Sequence, residues 1–340
     1  MRKVEAGEFL KMAANVPVID VRAPIEFNAG HIPGAKNIPL FNDEEREAIG
    51  IKYKKVGRTE AILEGLRLAG PAMSCKLENA LKEAPNRKLL VHCWRGGMRS
   101  ESMAWLFSIA GIQTTVLDGG YKAYRRYILE KLSERRNIII LGGMTGSGKT
   151  RILRHLGEAG RQVIDLEKLA NHKGSAFGSL GQLPQPSTEQ FANDLYNEWS
   201  RLSNNEPVWL EDESHNIGTV FLPEGFYRNM QVAKTIMLTM DIKTRMPRLL
   251  EEYSGYPPEM LRTSLLKISK RLGGDNTREA LTCIDRGDIA GAIEISLKYY
   301  DKAYQFSTSR KNNNDITYIQ TDTDDVEENA RKILLSLRPL

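Results

Sequence analysis

Cysteine is scarce in this chain, with three in 340 residues, and Cys75, Cys93 and Cys283 lie far apart. That excludes a disulfide framework and a zinc knuckle, which need paired or closely spaced thiols. No apolar run approaches the ~20 residues of a membrane-spanning helix, and no internal repeat is present. The opening Met1-Arg2-Lys3-Val4-Glu5-Ala6 holds no apolar core of the kind that directs secretion. A cytoplasmic protein with reduced thiols and no membrane association is therefore expected. Nor is the charge lopsided: 48 Lys and Arg against 43 Asp and Glu leave +5, which permits a polyanionic partner without demanding one. What remains is ordinary for a globular chain, 41% hydrophobic and 27% charged, at a length that favours two cores.

One stretch concentrates reactive chemistry. Apolar Leu89-Leu90-Val91 ends at His92-Cys93, then comes Trp94-Arg95-Gly96-Gly97-Met98-Arg99, and Ser100 opens an apolar-periodic helix. That helix is expected over residues 100–110, with Gly111 as its stop. A thiol between a strand and a helix N-terminus faces backbone N–H groups and the positive end of the helix dipole. Arg95 and Arg99 add full charges, which favour the nucleophilic thiolate. The cradle of Arg95, Gly96, Gly97 and Arg99 would also hold a tetrahedral anion beside the sulfur. Against this stands the plainer reading of a buried structural cysteine. Cys93 and Arg99 make a Cys-x5-Arg, and His92 completes the His-Cys-x5-Arg pattern of cysteine phosphatases and arsenate reductases. Two readings stay open from the loop alone: a phosphatase, or a transferase whose donor is a phosphorylated chalcogen.

Strands are expected at 17–22 and 114–117, with Pro24 opening a helical turn. Asp20-Val21-Arg22, Glu26-Phe27, Gly30-His31-Ile32-Pro33-Gly34-Ala35, the Cys93 loop and Leu117-Asp118-Gly119-Gly120-Tyr121-Lys122-Ala123-Tyr124 follow in that order. Together they resemble the rhodanese family. The resemblance implies a parallel α/β fold, a chalcogen carried on Cys93, and Asp20, Arg22, His31 and Asp118 as scaffold. The arginine here stands one residue further from the cysteine than in sulfur-transferring members, which widens the cradle to phosphate size. Residues 41–85 read as an insertion with a charged helix from Asp43 and another over 59–68. Lys52-Tyr53-Lys54-Lys55 with Arg58 reads as a nucleic-acid patch or, more simply, as a solvated surface. Cys75 is expected to pack in a helix.

A basic helix over 121–136 follows, its 126–136 part linking the halves. Buried Asn137-Ile138-Ile139-Ile140-Leu141 then runs into Gly142-Gly143-Met144-Thr145-Gly146-Ser147-Gly148-Lys149-Thr150 and a helix. Gly143 to Thr150 matches G-x-x-x-x-G-K-[ST] in the strand–loop–helix setting that a P-loop requires. The N–H groups around Gly143, Gly146, Ser147 and Gly148 would converge on phosphate oxygens. Lys149 would neutralise the outer phosphates, and the Thr150 hydroxyl would bind Mg²⁺. Further strands are expected at 162–166, 235–241 and 318–322. Asp212, after Val208-Trp209-Leu210, is the first choice for the carboxylate that completes the Mg²⁺ site, and Glu211 the second. Residues 174–188 read as a mobile loop over the site. Arg262, Lys267, Lys270 and Arg271 fall partly on one helical face. The expected fold class is α/β: a rhodanese-like domain over 1–125, the linking helix 126–136, and a P-loop NTPase-like domain with helical additions over 137–340.

This whole-chain order is similar to that of the tRNA 2-selenouridine synthase family. Leu210-Glu211-Asp212-Glu213-Ser214 with Ile217-Gly218, and Tyr300-Asp301-Lys302-Ala303-Tyr304, also look like its motifs. The resemblance implies a cytoplasmic selenotransferase acting on tRNA with 2-thiouridine at the wobble position. Its sulfur is geranylated from geranyl diphosphate, and the S-geranyl group is then replaced by selenium from selenophosphate. Attack of the Cys93 thiolate on selenium would leave a perselenide and release phosphate. No tightly bound cofactor is implied, ATP or another nucleotide is an alternative occupant of the P-loop, and a selenophosphate-producing enzyme is a partner. The competing readings are a cysteine-dependent phosphatase and a persulfide carrier with a nucleotide-binding domain.

Overall fold

A computed structural model describes residues 1–309 and 315–337. The chain divides into two compact units, Met1–Lys131 with Ala192–Asn197, and Leu132–Phe191 with Glu198–Leu340. The expected linking helix spans Gly120–Ser133 and lies in the first unit as far as Lys131. Residues 192–197 join that unit because buried Asn193 donates to the His31 carbonyl and the Tyr121 hydroxyl, both at 2.8 Å.

The first unit is an α/β layer around one parallel sheet. Its strands are β1 (Arg2–Val4), β2 (Val18–Asp20), β3 (Lys36–Asn37), β4 (Lys88–His92) and β5 (Gln113–Leu117), in the order β1-β5-β4-β2-β3. Register pairs Asp20 with His92 and Val91 with Val116, so the carboxyl ends of the central strands share one edge of the sheet. Ligands of parallel α/β sheets collect at that edge. Side chains alternate along β4: Leu89 and Val91 join Ile19, Met103 and Phe107 on one face, and Leu90 joins Phe9, Tyr121 and Ile128 on the other. Both faces are covered, which is why the strands are almost wholly apolar.

The second unit holds β6 (Ile138–Gly143), β7 (Gln162–Val163), β8 (Val208–Glu211), a two-stranded ribbon of β9 (Asn216–Ile217) and β10 (Val220–Phe221), β11 (Lys234–Met240) and β12 (Ile316–Thr321). The parallel sheet runs β12-β11-β6-β8-β7, with the P-loop strand β6 at its centre. Helices from Ile242–Tyr253 to Ile289–Ser309 form a separate apolar cluster beside it. Among the described residues no helix is long and apolar enough to cross a membrane.

Several local expectations need correction. The strand expected at 162–166 stops at Val163 because Asp165 caps the next helix, accepting from the Lys168 N–H at 2.8 Å. The basic face expected at 262–271 does not exist as one face. Helix Pro258–Leu266 ends at Lys267, a short helix Ser269–Leu272 follows, and Arg262 is paired with Asp285. Cys75 lies in the helix Met73–Glu83 but is exposed rather than packed. Residues 174–188 are anchored at two points: Leu180 is buried, and the Gln185 amide donates to the Ala170 and Ile217 carbonyls at 3.0 and 2.9 Å.

Candidate functional site

Cys93 sits where β4 ends, and Gly97 caps the following helix, Met98–Ile109, which begins two residues earlier than expected. Its Sγ is buried, 3.2 Å from the Ser100 hydroxyl and 4.0 Å from the Gly97 carbonyl. The loop is shaped from behind by the turn after β5. Tyr121 N–H donates to the Cys93 carbonyl at 2.8 Å and Lys122 N–H to the Trp94 carbonyl at 3.0 Å. Gly96 (φ +67°) and Gly120 (φ +60°) lie back to back in the left-handed region. A Cβ on Gly120 would collide with the Cys93 carbonyl and the Gly96 nitrogen. The Asp118-Gly119-Gly120-Tyr121 stretch is thus the mould of the cysteine loop.

The two arginines are placed differently. Arg95 is exposed, with no hydrogen bond or ion pair among the described residues. Arg99 turns to Glu26, donating to its carboxylate at 2.7 and 3.4 Å. Burial alone would raise the Glu26 pKa, but Arg99, the Ala23 N–H and Arg46 outweigh it and hold the carboxyl below its usual range. Beneath the loop, Asp20 and Arg22 form a fully buried pair at 2.6 Å. Burial opposes the Asp20 charge, yet neighbouring His92 and Arg22 keep its pKa low. Burial pushes the imidazole of His92 the other way, below the ordinary histidine value, so the lasting positive partner is Arg22. The Arg22 guanidinium also lies 3.8 Å over the Tyr121 ring, which ties this pair to the turn that moulds the loop.

In the second unit the P-loop follows β6 and opens helix Lys149–Glu158, with Gly148 (φ +81°) at its cap. Gly143, Gly146, Ser147, Gly148, Lys149 and Thr150 come together here as the motif requires. Lys149 Nζ rests 3.0 Å from the Gly143 carbonyl. The Ser147 hydroxyl is buried without a hydrogen-bond partner among the described residues, an unmet donor inside the loop. Three carboxylates crowd the loop: Glu167, Glu211 and Glu213 offer oxygens within 4.8 Å of one another, and Thr150 Oγ1 is 3.5 Å from Glu167. Burial raises all three; repulsion from Glu211 adds to it at Glu167, raised to about 10, and at Glu213, raised to about 8, while Glu211 itself is raised by burial against the pull of Lys149. Three hard oxygen donors beside a threonine hydroxyl suit a divalent cation such as Mg²⁺, whose charge would relieve that repulsion. Asp212 is turned elsewhere, its carboxylate accepting from the Tyr304 hydroxyl at 3.2 Å.

Sequence reasoning singled out neither Glu167 nor Glu213 for this cluster, and it gave Tyr300-Asp301-Lys302-Ala303-Tyr304 no role. That stretch braces the P-loop from helix Ile289–Ser309. Tyr304 accepts from the Gly143 N–H at 2.6 Å, and Asp301 clamps Arg245, which donates to the Thr145 carbonyl at 2.9 Å. Arg248 donates to the Gly146 carbonyl at 2.9 Å and pairs with Asp324. The signal was visible as a tyrosine-rich cluster; what it touches was not.

Comparison with known proteins covers both units. A family model described as tRNA 2-selenouridine synthase AAA domain matches residues 136–335, and one described as rhodanese-like domain matches residues 5–127. The chain is 34% identical to a tRNA 2-selenouridine synthase of Nitrosomonas europaea, over 88% of this chain and 90% of that one. It is 38% identical to that of Shewanella sediminis over the same shares. Among solved structures, the N-terminal domain of a Clostridium difficile 630 protein described as ATP/GTP binding is 36% identical. It covers 37% of this chain and 98% of that one, with a TM-score of 0.36.

Proposed function

The chain belongs to the tRNA 2-selenouridine synthase family, and from that premise we propose that it replaces the sulfur of a wobble 2-thiouridine in tRNA with selenium. Two steps divide between the two loops. At the P-loop, geranyl diphosphate is held by Lys149 and the loop N–H groups, and its geranyl group passes to the 2-thio sulfur. Thr150 and Glu211, rather than Asp212, would hold Mg²⁺, which neutralises the departing diphosphate. At the Cys93 loop, the backbone of Gly96 and Gly97 with Arg95 and Arg99 binds selenophosphate, supplied in the cytoplasm by a selenophosphate-producing enzyme. Arg99 reaches that anion by leaving Glu26 for it.

The chemistry is consistent with this order. A free 2-thio sulfur would have to leave as sulfide, whereas the S-geranyl group leaves as a thiol, so geranylation makes C2 exchangeable. Selenium in selenophosphate is already at the selenide level. Its transfer to C2, with loss of geranylthiol and hydrolytic loss of phosphate, is therefore redox-neutral. A resting perselenide on Cys93 together with released phosphate would need a two-electron oxidant as well. Cys93 is the nucleophile of the exchange: its thiolate attacks C2 and expels geranylthiol, the selenium of selenophosphate then displaces the Cys93 thiolate from C2, and water takes the phosphoryl group off selenium as phosphate.

The observation that carries the reading is a complete P-loop in the same chain as a cysteine loop moulded by its own glycine turn. Its test is incubation with 2-thiouridine tRNA, geranyl diphosphate and selenophosphate, followed by nucleoside mass spectrometry. S-Geranyl-2-thiouridine and then 2-selenouridine are expected. Cys93→Ala should accumulate the former and lower the latter by at least about 1000-fold. Undiminished selenouridine from Cys93→Ala ends the nucleophile role. Hydrolysis of phosphate esters without any modified nucleoside favours the phosphatase reading, and a stable persulfide without one favours the carrier.

A further inference from the structure

The hairpin of helices Asp43–Lys55 and Arg58–Ala69 enters no step above. It adds little to the core, since its first helix buries no residue and its second only Ala61, Gly65 and Ala69. Ile51, Tyr53, Val56, Leu63 and Leu66 stand exposed on it instead, Tyr53 at 56%. Large side chains kept out of the core mark a surface that meets a partner. Polar contacts set the hairpin's place: Asp43 accepts from the Ile25 N–H at 2.9 Å, and Arg46 pairs with Glu26 at 3.2 Å.

That place is beside the Cys93 loop. Glu26 is the carboxylate on which Arg99 rests, and Arg58, past the far end of the first helix, lies 4.0 Å from Sδ of Met98. Tyr53 stands two turns beyond Arg46, on the same helix face and about 10 Å along the axis. Gly50 lies between them, and a Cβ there, as at Gly97 of the cysteine loop, would meet nothing within 4 Å. The charge of this surface has one sign. Residues 48–59 carry Lys52, Lys54, Lys55 and Arg58 and no acid, in a chain whose net charge is only +5. Lys52 is paired with Glu64 at 2.8 Å, while Lys54, Lys55 and Arg58 have no ion pair among the described residues. Exposed Arg95 adds a further cation from the cysteine loop itself. Open cations around an exposed ring fit single-stranded RNA, whose phosphates take the cations and whose bases take the ring. An acidic protein would satisfy the cations alone.

We propose that the anticodon loop of the tRNA docks on this hairpin. Phosphates next to the wobble nucleotide lie on Lys54, Lys55, Arg58 and Arg95, and a flanking base stacks on Tyr53. The inference rests on the tRNA reading above and deepens it by placing the RNA. A wobble base presented to Cys93 brings its neighbours to this rim, so one surface both holds the loop and aims the base.

The test is binding of an anticodon stem-loop RNA, with 2-thiouridine at the wobble position, to the full chain, read by fluorescence anisotropy across a salt series. Lys54→Glu with Lys55→Glu should weaken binding about 10-fold or more. It should also flatten the log–log salt slope by about 1.4, roughly 0.7 for each lost phosphate contact. Lys82→Glu with Lys88→Glu makes the same charge change near the amino end of β4, the end opposite Cys93, and should cost less than about 3-fold. Tyr53→Ala should lose about 10-fold and Tyr53→Phe nothing, because stacking needs only the ring. All five side chains are exposed, so the variants should fold as the parent does. Equal losses from the two lysine pairs overturn the inference, as does unchanged affinity in both Lys54→Glu/Lys55→Glu and Tyr53→Ala. Unchanged RNA binding, with selenation lost only when a selenophosphate-producing protein supplies the donor, assigns the hairpin to that protein and overturns RNA docking. Hairpin-dependent RNA binding without any modified nucleoside supports the surface and refutes the selenation reading. Selenouridine formed as well by the hairpin variants as by the parent at limiting tRNA does the reverse.

Discussion

Each unit carries a glycine-rich loop between a parallel strand and a helix N-terminus, yet the two loops are supported by opposite means. The Cys93 loop rests on backbone: the turn at Gly119-Gly120-Tyr121 meets it through main-chain hydrogen bonds and two glycines in left-handed conformation. The P-loop rests on side chains: Arg245, Arg248 and Tyr304 reach in from helices to three of its backbone groups. The surrounding charge differs as well. Beside Cys93, Arg99 is already paired with Glu26 and Arg95 stays exposed, whereas the P-loop faces three carboxylates crowded together. The first arrangement presents one side-chain atom, Sγ, and holds an arginine in reserve. The second sets Lys149 and Thr150 beside those carboxylates and suits a ligand that brings a cation with it.

The comparison breaks most severely at Gly120. Gly120→Ala should destabilise the first unit by about 3–4 kcal/mol, because the added Cβ must displace backbone and the position has φ +60°. Urea unfolding checks this, and the P-loop unit should keep its diphosphate affinity. A loss below ~1 kcal/mol would mean that the turn yields and does not mould the cysteine loop. Lys149→Ala should weaken diphosphate binding about 100-fold while leaving alkylation of Cys93 by a thiol reagent unchanged. Abolition of an ATP-dependent step with geranylation untouched would instead place a nucleotide in the loop. The smallest effect concerns pH. Glu167 and Glu213 are raised from 4.5 to about 10 and about 8. The folded state therefore binds more protons than the unfolded one between those limits, and metal-free stability should fall as pH rises from about 5 to 9. Mg²⁺ should restore a few degrees of melting temperature at pH 9 and none at pH 5, and Glu211→Gln should reduce that gain. An equal Mg²⁺ effect at both pH values would show that the cation binds elsewhere.

Much of this architecture was legible from local pattern. Apolar runs of three or four residues ending in glycine or polar residues marked β4, β6 and β8, and Pro24 and Gly111 punctuated helices where they occur. Boundaries slipped where a side chain could serve two purposes, as when Asp165 capped a helix instead of extending a strand. The acids were harder. Spacing along a strand end offers Glu211, Asp212 and Glu213 equally, and Glu167 is more than 40 positions away. Asp212 accepts instead from the Tyr304 hydroxyl, a residue 92 positions away.

By itself the sequence determined the two strand–loop–helix segments, their order and the places of Cys93 and Lys149 in them. Those depend on residues adjacent in the chain, whose conformation is set by glycine, helix start and apolar periodicity. Only the tertiary structure decided that Arg99 rests on Glu26, that Glu167 and Glu213 join Glu211, and that Arg245 and Tyr304 brace the P-loop. Each of these is a meeting of residues distant in sequence, brought together by packing of apolar faces that many alternative pairings would satisfy equally well as a pattern.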